Sequence, residues 1–310
     1  MSNILFVNHP ESQCGVWQMG RRFCTALQKS SRYAFHYVEV GDPHCVLGCP
    51  NPRAVIFNYR NTTLPLHKVE HIKTLLPGRP YISIVHEIHE GYPFEPSFSH
   101  YLTIDPTYPA DNIRVFKTVP EIPADCGIPY QPPATDSETI VGTFGFATDG
   151  KGYEIVLEEV AKEFPGATFR LHIPFATYGD ADGYRAKTWS EWYANRCVEV
   201  GIKPEITHDY LPSSDLVRRL AENHLNCLFY GEHAGRGVSG AAEYCLAARR
   251  PLLVSRSKMF RHITDKVCVW PDVSLREALI TGPLRVKEIA DSWTADRVYL
   301  DTEYMLDSII

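Results

Sequence analysis

Residues 228–254, LFYGEHAGRGVSGAAEYCLAARRPLLV, join an apolar strand to a glycine-rich loop, a helix and a second apolar strand. The start of a helix carries unpaired N–H donors and roughly half a positive charge, which suits a phosphate. Gly235, Gly237, Ser239 and Gly240 let a ligand approach the backbone closely, and Arg236 offers a two-pronged donor to phosphate. Glu243 follows just under two turns into the helix, where a carboxylate can accept hydrogen bonds from a ribose. The plainer alternative is helix packing through small residues with a surface glutamate.

A second turn of the same kind, GTFGFATDGKGYE (142–154), contains Gly142, Gly145, Gly150 and Gly152, with Lys151 at the helix start. A lysine in that position opposes the helix dipole unless an anion sits beside it. Two readings stand: a lysine clamp on a diphosphate, or an ordinary glycine turn with a surface lysine. HPESQCGVWQMG (9–20) again leads from a strand to a glycine, Gly15, at a helix start. It reads as a second approach to the same phosphates or as a tight turn. IVHEIHEGYP (84–93) places His86, Glu87, His89 and Glu90 at the end of a buried-type strand, where one of them can touch an acceptor or a reacting sugar. His86 and His89 do not have the HExxH spacing, and His44, Cys45 and Cys49 form no zinc-type pair, so no metal is expected. HDYLPSSDL (208–216) puts Tyr210 and Leu211 where a base would pack, or simply opens a helix.

The elements that must position these residues alternate. Strands are expected at 4–8, 33–40, 54–58, 81–87, 101–105 and 113–119, with helices at 16–29 and 66–76. Residues 120–138 are rich in proline and read as a linker. The pattern then restarts, with strands at 139–145, 167–173, 204–208, 225–231, 251–255 and 266–270. Helices are expected at 152–164, 183–200, 213–223 (capped by Ser213 or Ser214), 238–249, 274–280, 284–292 and 295–308. This is βαβ punctuation in two halves, and a ligand belongs at the C-terminal ends of the strands.

With 310 residues the chain is long enough for two domains, and 44% hydrophobic with 22% charged residues fits a globular protein. A net charge of −6 argues against a dedicated nucleic-acid coat, although Arg249, Arg250, Arg256, Lys258 and Arg261 form a local basic cluster. The opening MSNILFVNHPE reads as a first strand rather than a secretory signal, and no membrane span is expected. Nine scattered cysteines suggest free thiols and a cytoplasmic setting.

CGVWQMG, VGTFGFATDGKG and FYGEHAGRGVSGAAEYCLAARRPLLVSRSKMFRH, in that order, resemble the retaining GT-B glycosyltransferases of the family 4 type. The resemblance covers most of the chain and is most specific in its second half. It implies two Rossmann-like α/β domains facing a central cleft. Residues 1–130 would bind the acceptor, 131–292 the nucleotide-diphosphate sugar, and a last helix at 293–310 would pack back on the first domain. It further implies a hexosyl- or pentosyltransferase that needs no metal or other cofactor. Lys151 matches the family's phosphate lysine, with Arg236 as a second cation. Gly237, Val238 and Ser239 match the diphosphate loop, Glu243 the ribose-binding second acid of E-x7-E, and His86 the histidine near the transferred sugar. Gly15, Gly145, Gly152, Tyr210, Leu211 and Glu232 complete the expected donor site.

The sequence also departs from the family. The first acid of E-x7-E falls at Gly235, with Glu232 three residues earlier, and the arginine that precedes the lysine falls at Gly145. A fold that binds nucleotide sugars without turnover is therefore one rival. A Rossmann-type oxidoreductase is another, though no G-x-G-x-x-G follows the first strand. The acceptor stays open among a glycan, a lipid-linked sugar, a small molecule and a modified DNA base, and the oligomeric state is not legible.

Overall fold

The computed structural model describes residues 1–87, 95–109, 111–123, 128, 138–176, 179–233 and 237–310. The chain divides into two compact units. The first comprises Met1–Glu121, Trp293–Ile310 and a short stretch ending at Val238; the second comprises Ile122–His233 and Ser239–Ser292.

In the first unit, β1 (Ser2–Asn8) leads through a loop to α1 (Gly15–Leu27), followed by β2 (Tyr33–Glu39), β3 (Ala54–Phe57), α2 (Leu66–Leu75), β4 (Tyr81–Val85), β5 (His100–Thr103) and β6 (Val115–Lys117). The strands form one sheet in the order β2-β1-β3-β4-β5-β6, with every pairing parallel. Helices cover both faces of a parallel sheet, so its central strands read as continuous apolar runs. Ile4, Leu5, Phe6 and Val7 of β1 and Ala54, Val55, Ile56 and Phe57 of β3 are all fully buried.

The second unit repeats the plan with β7 (Ile140–Phe144), α3 (Tyr153–Glu163), β8 (Thr168–His172), α4 (Tyr184–Glu199), β9 (Lys203–Thr207), α5 (Ser213–Ala221), β10 (Leu225–Leu228), α6 (Ala241–Ala247), β11 (Leu252–Ser255), β12 (Cys268–Trp270) and α7 (Leu275–Ser292). Its sheet order is β12-β11-β10-β7-β8-β9, again parallel throughout. The final helix, α8 (Ala295–Ile309), belongs to the first unit. It packs beside α1 and buries Val298, Met305 and Leu306 in that unit's core. Asp307 accepts from the Tyr33 hydroxyl at 2.6 Å, and Asp301 accepts from Thr118 Oγ1 at 3.1 Å.

Three local expectations change. Residues 275–292 form one helix rather than two, with Pro283 inside it. Gly282 explains why that segment stays helical: a methyl there would lie 2.9 Å from Pro251 Cβ, so the backbone packs tightly onto the start of β11, and this tertiary contact overrides the Gly-Pro break. The cap of α5 is Pro212, with no side-chain hydrogen bond from Ser213 or Ser214. Finally, α6 has seven residues and begins at Ala241, three positions later than the apolar pattern suggests. The eight described cysteines are all free. No described helix is long and apolar enough to cross a membrane.

Candidate functional site

Because both sheets are parallel, every strand-to-helix loop within a unit leaves from the same edge of its sheet. In the second unit that edge gathers the loops after β7, β9, β10 and β11. Gly145, at the end of β7, has φ +144°, and Gly150 and Gly152 are left-handed at +77° and +64°. Gly150 accepts a main-chain hydrogen bond from Gly231 at 2.8 Å, which ties the two glycine loops together. A methyl on Gly152 would collide with the carbonyl of Phe229, so the α3 start lies directly against the end of β10.

Lys151 lies between these glycines. Its ammonium is 3.9 Å from the centroid of the Tyr230 ring, and a methyl on Gly145 would sit 3.5 Å from its Nζ. A lysine at a helix N-terminus costs about 0.3–1 kcal/mol, whereas a desolvated cation–π contact returns about 1–2 kcal/mol. Tyr230 is buried, so the ring contact outweighs the dipole and helps hold the cation at the sheet edge.

The 237–243 segment is more committed than its sequence suggests. The Ser239 N–H, expected to be a bare phosphate donor, donates to the Met259 carbonyl at 2.9 Å, and the Ser239 carbonyl and hydroxyl accept from the amides of Ala242 and Ala241. Gly237 and Val238 fall in the first unit, where Val238 packs on the apolar core and a methyl on Gly237 would strike the His86 carbonyl. Glu243 is buried, not a surface glutamate. Its Oε1 has no hydrogen-bond partner among the described residues, and His262 Nε2 is 3.7 Å away. Glu232 is exposed, and its carboxylate accepts from the Lys258 amide at 3.0 Å. Tyr210 and Leu211 are half-buried in the loop after β9. Beside them His208 stacks on Phe175 at 4.5 Å, an aromatic pair that no sequence motif flagged. Arg236, Gly235, His89 and Glu90 lie outside the described residues.

The basic cluster at 249–261 is not one patch. Arg249 donates to the Ile128 carbonyl, Arg256 pairs with Asp272, and Arg261 donates to the Lys258 carbonyl.

In the first unit the ends of β1, β3 and β4 are neighbours in the sheet and bring together Asn8, His9, Asn58, Arg60, His86 and Glu87. Arg60 pairs with Glu87 at 2.8 Å. His86 Nε2 and Asn58 Oδ1 are 2.6 Å apart. Gly15 opens α1, whose first turn has no acidic residue and whose cap residue, Cys14, makes no side-chain hydrogen bond.

Burial holds three histidines neutral. Desolvation, aided by Arg60, lowers His9 to about 4; desolvation with Arg60 and His9 lowers His86 to about 3; and desolvation with Arg219 lowers His172 to about 4. Each folded value lies below the unfolded value near 6.5, so the unfolded chain takes up more protons on acidification. Stability is expected to be full above about pH 6.5 and to fall as the pH drops towards about 4. Urea unfolding at pH 7 and pH 5 checks this. The slope should flatten in His172→Gln, and equal stability at the two pH values would refute the assignment.

No family model matches the sequence, and no curated protein does. Solved structures do share its architecture. HepE from Anabaena in complex with UDP superposes with a TM-score of 0.66 at 12% identity, covering 99% of this chain and 100% of that one. The trehalose-6-phosphate synthase OtsA gives 0.67 at 9% identity over 99% of both chains. The lipopolysaccharide outer core galactosyltransferase WaaB gives 0.61 at 11% identity over 100% of both. Such identities carry the fold, and the protein has the GT-B fold expected from its motifs.

Proposed function

We propose that the protein transfers a glycosyl group from a nucleoside diphosphate sugar to an acceptor hydroxyl, with retention. The observation that carries this reading is Lys151, held beside Gly145 by the Tyr230 ring at the edge of the second sheet. Charge grows on the departing diphosphate in the transition state, and a fixed cation stabilises it there without reorganisation. The reading assigns the donor to the second unit, with Glu243 on the ribose and Tyr210 and Leu211 towards the base, and the acceptor to the first unit, with His86. A diphosphate oxygen takes the acceptor proton, so no side-chain nucleophile is required. Lys151 supplies the positive charge, with Arg236 as a second candidate, and activity is expected to survive EDTA; its loss there would move the charge assignment to a metal.

HepE has been solved with UDP and with UDP-glucose, and a similar structure described as trehalose-6-phosphate from E. coli with UDP-2-fluoro glucose, so uridine diphosphate sugars are the first donors to test. The experiment is incubation with a panel of nucleotide sugars while measuring released nucleoside diphosphate. Release supports transfer or donor hydrolysis. Saturable binding without release supports the second reading, a nucleotide-sugar-binding protein, which Gly235 in the position of the family's first acid favours. Neither result with any donor overturns both.

Glu243→Gln separates stability from binding. Glutamine fills the same buried space, and Oε1 has no hydrogen-bond partner among the described residues to lose, so the free protein is expected to melt close to the wild type. A hydrogen bond to a charged group contributes about 1.5–3 kcal/mol, so binding of UDP should weaken about 10-fold or more. Calorimetric titration checks it, and unchanged affinity would remove Glu243 from the ribose.

A further inference from the structure

We propose that Asn58 is a positioning residue that fixes His86 in the tautomer with the proton on Nε2, leaving Nδ1 as a hydrogen-bond acceptor. This rests on the reading that places His86 in the acceptor half of the site, and it specifies what that imidazole can do there.

The argument follows from which groups have only one role. Asn58 Nδ2 lies 2.7 Å from the Val16 carbonyl, which can only accept. That contact settles the amide orientation, so Asn58 Oδ1 is the atom facing His86 Nε2, and an amide oxygen can only accept. The proton must therefore be on Nε2. The same logic continues one residue deeper. Asn8 Oδ1 accepts from the His9 N–H at 3.0 Å and from Asn58 Nδ2 at 2.8 Å. Asn8 Nδ2 then donates to the Trp17 carbonyl at 3.0 Å and to the Tyr37 hydroxyl at 2.9 Å, and that hydroxyl donates to Glu39 at 3.0 Å. Each amide is oriented by a main-chain group, so neither can flip without leaving a buried group unpaired. Asn8 and Asn58 are both fully buried, where an unpaired polar group costs about 1–3 kcal/mol.

Gly20 belongs to this device. It is buried inside α1, and a methyl there would overlap the Asn58 amide and press on Asn8 Nδ2 at 3.0 Å. The Val16 and Trp17 carbonyls are in the first turn of the same helix. One pair of amides thus fixes both the His86 tautomer and the seat of the α1 N-terminus. The chemical consequence is a neutral imidazole whose Nδ1 lone pair can accept a hydrogen bond from a hydroxyl. It neither donates to nor neutralises a phosphate at neutral pH, so it fits a sugar or acceptor hydroxyl.

The test uses the full chain, labelled with nitrogen-15, and reads the two ring nitrogens of His86 by NMR at pH 7. The expected wild-type pattern is a protonated Nε2 and a bare Nδ1. Asn58→Ala is expected to show a mixture of tautomers. With a donor that turns over, Asn58→Ala should lower kcat about 10-fold with the affinity for UDP unchanged. A wild-type proton on Nδ1, or a tautomer unmoved in Asn58→Ala, would overturn the proposal. The wild-type measurement decides it even if the alanine variant does not fold. Absence of turnover with every nucleotide sugar would count against the glycosyl-transfer reading and leave the tautomer result intact.

Discussion

Lys151→Ala is expected to lower release of nucleoside diphosphate by about 10²–10³-fold, the loss that follows removal of one preorganised charge-stabilising group from an active site. The fold should survive the change. Lys151 is only partly buried, it precedes α3 rather than lying within it, and its removal relieves the unfavourable interaction with that helix's dipole. The cation–π contact with Tyr230 is lost, which costs about 1–2 kcal/mol and leaves the ring buried. Arginine is the informative companion. It keeps the charge but replaces a compact ammonium over the Tyr230 ring with a larger planar fork that cannot occupy the same point. Lys151→Arg should therefore recover only part of the activity. Undiminished release in Lys151→Ala would remove the residue from the mechanism. Steady-state release at saturating and at limiting donor separates the two contributions, since a group acting on the transition state lowers kcat and kcat/KM together.

Much of the fold was legible because parallel sheets advertise themselves. β1, β3, β4 and β11 are largely apolar runs of the length that a two-sided sheet demands, and glycine or proline marks several of the breaks between elements. The strand order was not legible, since apolar runs do not say which neighbour they pair with. The site divided in the same way. Lys151 and its glycines share a single turn, and a single turn is readable. The loop at 237–243 was read too simply: its glycines suggested bare amides, but Ser239 is spent on Met259, a residue that reaches it only through the packing after β11. The asparagine pair was missed, although the sequence held a signal. LFVNHP and VIFNYR each end an apolar strand on an asparagine. Only the β1–β3 pairing turns two separate asparagines into one network.

Gly152→Ala is expected to be the most damaging small substitution at the donor edge. Two independent effects combine there. Gly152 has φ +64° and ψ 23°, and a residue with a Cβ in that left-handed region costs about 1–2 kcal/mol. The added methyl would also fall inside the Phe229 carbonyl oxygen, a backbone atom at the end of β10 that cannot rotate away. Overpacking of a tight contact typically costs about 1–3 kcal/mol, so the expected total is about 2–5 kcal/mol in urea unfolding. Gly166→Ala is the control: its φ is similar, +82°, but nothing lies within 4 Å of an added methyl, so only the conformational cost should appear. If both variants lose the same stability, the close approach of α3 to β10 is not the reason for a glycine at 152. If Gly152→Ala loses more, the extra loss measures that contact. The same displacement would carry Lys151 away from Tyr230, because the lysine is the residue immediately before the glycine. A variant that still folds should therefore also lose UDP affinity, and Gly166→Ala should not.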